Sequence, residues 1–199
     1  MNSIEELEKN YRKYKWFYTA SGKLVVGGKS ADQNDELLSI VKRSKNEHII
    51  MHTAEPGSPF TVILADVKKV TKSDLEECAV FTGCFSRAWK AGKKKTIVSI
   101  FRSSQIYKNR SMNTGTWGVS EKADKISVSL ELVLTKQKGS LRAVPEKSVK
   151  SKKDILLKIV PGKIDKVSFL PKLQVELSDS FNQDELLAAL PAGGLKIIK

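Results

Sequence analysis

The stretch from Trp16 to Asn34, WFYTASGKLVVGGKSADQN, limits what this chain can fold into more than any other. Trp16-Phe17-Tyr18 reads as an apolar strand and Leu24-Val25-Val26 as its partner. The Ser21-Gly22 turn between them uses a glycine for its positive φ. Gly27, Gly28 and Lys29 follow at once. Ser30 then stands as the N-cap of a helix carrying Leu37, Leu38, Ile40 and Val41. Glycines at a strand exit let a phosphate or another backbone approach closely. The helix start offers N–H groups and the positive end of its dipole, and Lys29 adds a mobile cation. Neither the P-loop spacing nor the dinucleotide-binding glycine fingerprint is present. Two readings therefore stay open at this mouth, an anion site or a tight turn with a solvated lysine.

These residues resemble the opening of the NFACT-R domain, the RNA-binding module of the NFACT proteins of ribosome-associated quality control (the NEMF and RqcH group). The matching positions are Trp16, Phe17, Thr19, Gly22, Leu24, Val25, Val26, Gly27, Gly28, Lys29, Ala31 and Asn34, with Thr19 and Val26 as conservative departures. Further on, Met51-His52-Thr53 and Pro56-Gly57-Ser58 follow the family's strand, His and Pro-Gly-Ser turn. Pro59 and Phe60 stand where many bacterial members carry a second His. Leu75, Glu76, Glu77, Ala79, Ser86, Ala88 and Trp89 follow its long helix, Gln105 and Lys108 its next turn, and Gly115-Thr116-Trp117 the strand after that. The resemblance covers Trp16 to about Leu134. It implies an α+β domain that binds tRNA or ribosomal RNA. In long family members a coiled coil precedes this domain. Here a short helix over Ser3–Tyr14, with Ser3 and Glu6 spaced as a capping box, makes a standalone form the expectation.

Charge agrees with a polyanionic partner. The 199 residues carry a formal net charge of +13, and from Lys136 to Lys172 the only acids are Glu146, Asp154 and Asp165. No apolar run approaches the ~20 residues of a membrane span, and the acidic start MNSIEELEKN is no signal peptide. Cys78 and Cys84, six apart in one helical pattern, point in different directions, as in a reduced intracellular protein. A cytoplasmic location is expected, with no membrane, small-molecule or cofactor partner.

The chain is expected to form an α+β fold: a mostly antiparallel sheet, two main packed helices and a small C-terminal α/β lobe. The divisions are an N-terminal helix (1–14), the main domain (15–136), a flexible basic loop (137–153) and the lobe (154–199). The main helices are predicted over Ala31–Lys45 and, as one long element, Thr71–Ala91, with Leu75, Ala79, Phe85 and Trp89 buried. The alternation over Lys125–Thr135 predicts one strand with Ile126, Val128, Leu130, Leu132 and Leu134 on one face. Strands are predicted at Ile155–Val160, Leu173–Leu177 and Leu195–Ile198, with a helix over Asp184–Leu190 capped by Ser180 or Asn182.

The candidate RNA-binding residues are Tyr18, Gly27, Gly28, Lys29, Asn34, His52, Ser58, Arg102, Gln105, Lys108, Arg110 and Trp117. Cations and backbone N–H groups would hold phosphates, setting affinity and salt dependence without reading sequence. Tyr18, Tyr107 or Trp117 could stack bases, the alternative being a place in the sheet or core. His48 and His52 would share a strand face, yet a metal there would need carboxylates such as Glu55 or Asp66, and no metal is expected. The other functions weighed are an RNA-processing or RNA-modifying enzyme using His52, Glu55 and Lys29, and a basic adaptor docking on an acidic or ribosomal protein.

Overall fold

The predicted hairpin, β1 (Lys15–Tyr18) and β2 (Leu24–Gly27), forms one edge of a six-stranded sheet. Strands β3 (Ile49–Thr53), β4 (Thr61–Ile63), β5 (Lys95–Arg102) and β8 (Asp124–Ser129) complete it in the order β1-β2-β4-β3-β5-β8, with every ladder antiparallel. The two-residue strands β6 (Ile106–Tyr107) and β7 (Gly118–Val119) pair beside it. The computed structural model describes residues 3–178 and 180–198; Met1 and Asn2 of the N-terminal segment, Asp179 and Lys199 lie outside the described residues.

Both faces of this sheet are covered, and the strand sequences show why. Alternation sends Trp16, Val26, Ile50, Val62 and Phe101 to one face, where Leu37, Leu38, Ile40 and Val41 of α2 (Ala31–Arg43) meet them. Phe17, Val25, Met51, Ile63 and Val98 point to the other, beneath α3 (Lys72–Cys84). The short helix α1 (Ile4–Lys9), capped by Ser3 Oγ accepting from the Glu6 N–H, adds Leu7 on the α2 side. Thr71 and Asp74 complete a reciprocal capping box at the start of α3, the shorter Asp side chain reaching the Thr71 N–H at 2.8 Å.

The predicted long helix breaks. It stops at Cys84, and Ser86 recaps a second helix, α4 (Arg87–Lys90), through its hydroxyl. Ala79 and Trp89 are fully buried, whereas Leu75 and Phe85 are half-buried. The predicted single strand over 125–135 also divides. Leu130 and Glu131 carry the chain out of the first sheet, and β9 (Leu132–Gln137) enters a second, four-stranded antiparallel sheet ordered β10-β9-β11-β12.

Its partner β10 (Ser140–Val144) lies inside the segment predicted as a flexible basic loop. Leu141 to Val144 are buried, so the short apolar patch in that Lys- and Ser-rich stretch is a core strand. Lys138 at positive φ (50°) and Gly139 (74°) make the tight turn between β9 and β10. Strand β11 (Leu157–Asp165) runs through Pro161-Gly162 by means of a bulge. The predicted strand over Leu173–Leu177 is instead the end of α5 (Lys166–Glu176). Its alternating Leu, Val and Leu imitate a strand, but the buried residues Phe169, Leu170, Leu173 and Leu177 have helical spacing. Helix α6 (Gln183–Ala189) is capped by Asn182, and β12 (Gly194–Ile198) closes the sheet.

No helix among the described residues is long and apolar enough to cross a membrane. One apolar cluster joins the α3 face of the first sheet to Leu132, Val144, Ile159, Phe169, Leu186 and Leu195 of the second. Helix α3 lies between the two sheets and is therefore buried nearly all round. The Trp89 indole donates to the Gly194 carbonyl at 3.0 Å, tying α4 to the last strand.

Candidate nucleic-acid interface

A cleft of about 940 Å³ opens where the β2 exit, the start of α2, the turn after β3 and the segment before β7 converge. The Gly-Gly exit shapes one wall. A side chain at Gly28 would collide with the Asn34 amide, which packs there and accepts from the Phe60 N–H at 3.3 Å. The turn after β3 forms a second wall. The Thr53 N–H donates to Ser58 Oγ at 2.9 Å, and Thr53 Oγ1 donates to the Glu55 carbonyl at 2.6 Å. Gly57 adopts φ +107°, and the stem of Arg87 lies where its side chain would be. The break between α3 and α4 thus turns Arg87 and Phe85 toward the cleft, and the Arg87 N–H donates to the Gly57 carbonyl at 2.8 Å.

The third wall is the segment 109–117. Lys108 Nζ gathers it, donating to Asp35 at 3.0 Å and to the carbonyls of Asn113 and Thr116. Trp117 donates its indole N–H to Asp35 Oδ1 at 2.7 Å. Burial opposes the Asp35 charge, but these donors and the Gly115 N–H hold the carboxyl below its ordinary pKa. At Gly115, φ +78°, a side chain would collide with Ala31 in the first turn of α2.

Three cations edge the cleft: Lys15, Lys29 and Arg87. Among the described residues no Asp or Glu lines it. Lys15 is brought there by register, since β1 pairs it with Gly27. Arg142 of β10 reaches across from the second sheet, its Nε donating to the Trp16 carbonyl at 3.1 Å and its guanidinium 4.5 Å from the Trp16 ring. Burial first, then the fields of Lys29, Lys166 and Arg142, pulls the Lys15 ammonium down to about 8. Burial and Arg142 lower Lys29 as well, and burial with the Arg12 field brings Arg142 down to about 10. Each shift records positive charge held close to other positive charge in a partly dry site. An anion arriving at the cleft would relieve Lys15 and Lys29.

The cleft brings together six of the predicted residues: Gly28, Lys29, Asn34, His52, Ser58 and Trp117. The contacts assign several of them a different task from direct ligation. The Gly28 N–H is committed to the Phe60 carbonyl and the Lys29 N–H to Gln33 Oε1, so backbone donors of the Gly-Gly-Lys mouth are already satisfied. What the mouth presents is the Lys29 ammonium at the start of α2. Gly27 belongs to the ladder with β1 and β4. Asn34 and Ser58 hold turns. His52 donates from Nδ1 to the Thr53 carbonyl at 2.7 Å and stacks on Phe60, while burial keeps it neutral. His48 is buried with both ring nitrogens facing protein atoms, Ser44 on one side and the Ile63 and Ala65 carbonyls on the other. Glu55 pairs with Lys93 at 2.8 Å. Among the described residues no cluster of three or more metal-ligating side chains forms.

The remaining candidates lie elsewhere. Tyr18 sits beside the β9–β10 turn with Lys138 Nζ over its ring at 5.1 Å. Arg102 pairs with Glu47 at 3.3 Å, and Gln105 donates to Glu121 at 2.8 Å, in a separate hollow that contains acids. Lys108 is consumed by Asp35 and the 109–117 segment. Arg110 is exposed on that segment. Tyr107 covers Gly118 across the small ladder. Reasoning from sequence missed Lys15, Arg87 and Arg142. Only the hairpin register could have placed Lys15, and nothing local announces the other two.

Residues 13–121, more than half of the chain, match the NFACT protein RNA binding domain. The chain belongs to this family. Every lining residue of the cleft except Ala123 falls within this matched span, and Arg142, outside it, adds its field to Lys29 from behind the lining. The chain is also 30% identical to the archaeal Rqc2 homolog aRqcH of Methanocaldococcus jannaschii, over 98% of its own length and 30% of that protein's. It thus spans under a third of that relative. Among solved structures it resembles the C-terminal part of the fibronectin/fibrinogen-binding protein of Streptococcus suis, with a TM-score of 0.51 and 20% identity over 58% of this chain and 45% of that one. That likeness speaks for the fold alone.

Proposed function

We propose that this protein binds tRNA or ribosomal RNA in ribosome-associated quality control, holding phosphates at the cationic edge of the cleft. The observation that carries the reading is the lining itself: among the described residues, three cations, no carboxylate, and further positive charge from Arg142 behind them. A surface that had merely gathered lysines for solubility would intersperse acids, as the hollow around Arg102 and Gln105 does. The family match supports RNA as the polyanion, and the aRqcH relative supports the ribosome quality-control setting. The reading is of a binder rather than a catalyst, because His52 and Glu55 are each committed to other partners.

Salt titration of RNA binding tests it. If about five phosphates are neutralised, log affinity falls with log salt at a slope near about −3.5 to −4.5. Lys29→Ala should make the slope shallower by about one unit and weaken unrelated RNA sequences alike. Lys9→Ala, in α1 and away from the cleft, is the control. Equal effects of the two substitutions would sink the anchored site and leave only general basicity.

A further inference from the structure

Holding phosphates requires no concavity, since a convex basic face does it as well. The cleft nonetheless has depth, and beneath its cationic edge apolar side chains share the walls with Ser, Thr, Asn and His groups: Phe60, Phe101, Trp117 and Val119 face the same space. Trp117 is set firmly, with its indole N–H on Asp35 and the ring half-exposed. The volume of about 940 Å³ suits a small organic group together with its charged substituent. A planar heteroaromatic base joined to a phosphate has this pairing of chemistries, and a base still stacked in a duplex cannot reach such a space.

We propose that the cleft receives one unpaired nucleotide of the bound RNA, its base against the Phe60, Phe101 and Trp117 wall and its phosphate at Lys15, Lys29 and Arg87. This rests on the RNA reading above and deepens it: the protein selects loops, bulges or ends over continuous duplex. The contact is sequence-tolerant, because every base offers a flat face. Selection comes from the need for a base free of its partner.

The test keeps the intact protein and varies the RNA. Three probes of equal phosphate number are compared at fixed salt: a hairpin with an unpaired loop, the same hairpin with abasic loop nucleotides, and a fully paired duplex. Tryptophan emission reports the site, because Trp16 and Trp89 are only 2% and 0% exposed, leaving Trp117 as the accessible indole. The looped hairpin should bind at least tenfold tighter than the other two and should alone quench the emission. A nucleoside monophosphate should compete at least tenfold better than ribose 5-phosphate. Equal affinities for all three probes, with the Lys29 dependence intact, would overturn the nucleotide pocket and leave RNA binding standing. Failure of every probe to bind would remove the RNA reading and this inference together.

Discussion

Lys15 is a cleft residue whose chemistry is far from ordinary. Its folded-state pKa of about 8 lies below the ordinary lysine value of 10.5, so at neutral pH the fold carries an ammonium that it destabilises. That penalty is complete below about pH 8, shrinks between 8 and 10.5, and is gone above. Lys15→Met should therefore stabilise the protein by about 1–3 kcal/mol at pH 7 and by much less at pH 10.5, as read by urea unfolding. The same substitution should weaken RNA binding. In the unaltered protein, affinity should be flat up to about pH 8 and decline above it as the free ammonium loses its proton, and Lys15→Met should remove that step. Asp74 has the opposite sign. Burial opposes its charge, but hydrogen bonds from Ser21, Thr19 and Thr71 hold it well below the ordinary carboxylate range. Its contribution is present above about pH 4 and is lost as pH falls from there. Asp74→Asn should cost about 2–4 kcal/mol at pH 7, with a gap that narrows in acid denaturation below pH 4.

At the scale of elements, the β9–β10 hairpin has the most unusual task. The side-chain amide of Gln137 accepts from the Tyr18 N–H at 2.8 Å and donates to the Tyr18 carbonyl at 2.9 Å. Arg142 takes the Trp16 carbonyl, and Arg12 donates to Lys138 O and Ser140 Oγ. Side chains thus stand in for a neighbouring strand along the exposed edge of β1. Gln137→Ala should cost about 1–3 kcal/mol and speed amide exchange at Tyr18, measurable by hydrogen exchange and NMR. A sequence dominated by lysine and serine disguised this strand, because five lysines around a short apolar patch interrupted by Arg142 look solvated. The opening hairpin and α2 were legible because period-2 and period-3.6 apolar patterns there are clean and the cap residues are in place. The break after Cys84 was not: Phe85 and Trp89 continue the helical spacing, and only the Ser86 hydroxyl capping Ala88 marks the new start. The cleft was half legible for the same reason. Lys29, Asn34 and Trp117 sit in recognisable motifs, whereas Arg87 depends on that break and Arg142 on a contact between residues 126 apart.

Across the whole molecule, the two sheets share α3 as common filling, so the second sheet is no detachable appendage. Heating should give one transition, with the near-ultraviolet signal of Trp89 and the far-ultraviolet signal of the backbone lost together. Separate transitions would contradict a continuous core. A chain ending at Ser129 should lack a cooperative transition, since it would strip Leu132, Val144, Ile159, Phe169, Leu186 and Leu195 from the shared apolar cluster. The burial of those two thiols has a practical corollary. Both are wholly enclosed, and burial pushes Cys78 up to about 12 and Cys84 higher still. The native protein should therefore be silent toward thiol reagents, and a single cysteine introduced on the exposed 109–114 segment would carry a photocrosslinker or spin label against a blank background. Contacts with bound RNA could then be mapped nucleotide by nucleotide without first stripping the protein of its own sulfur.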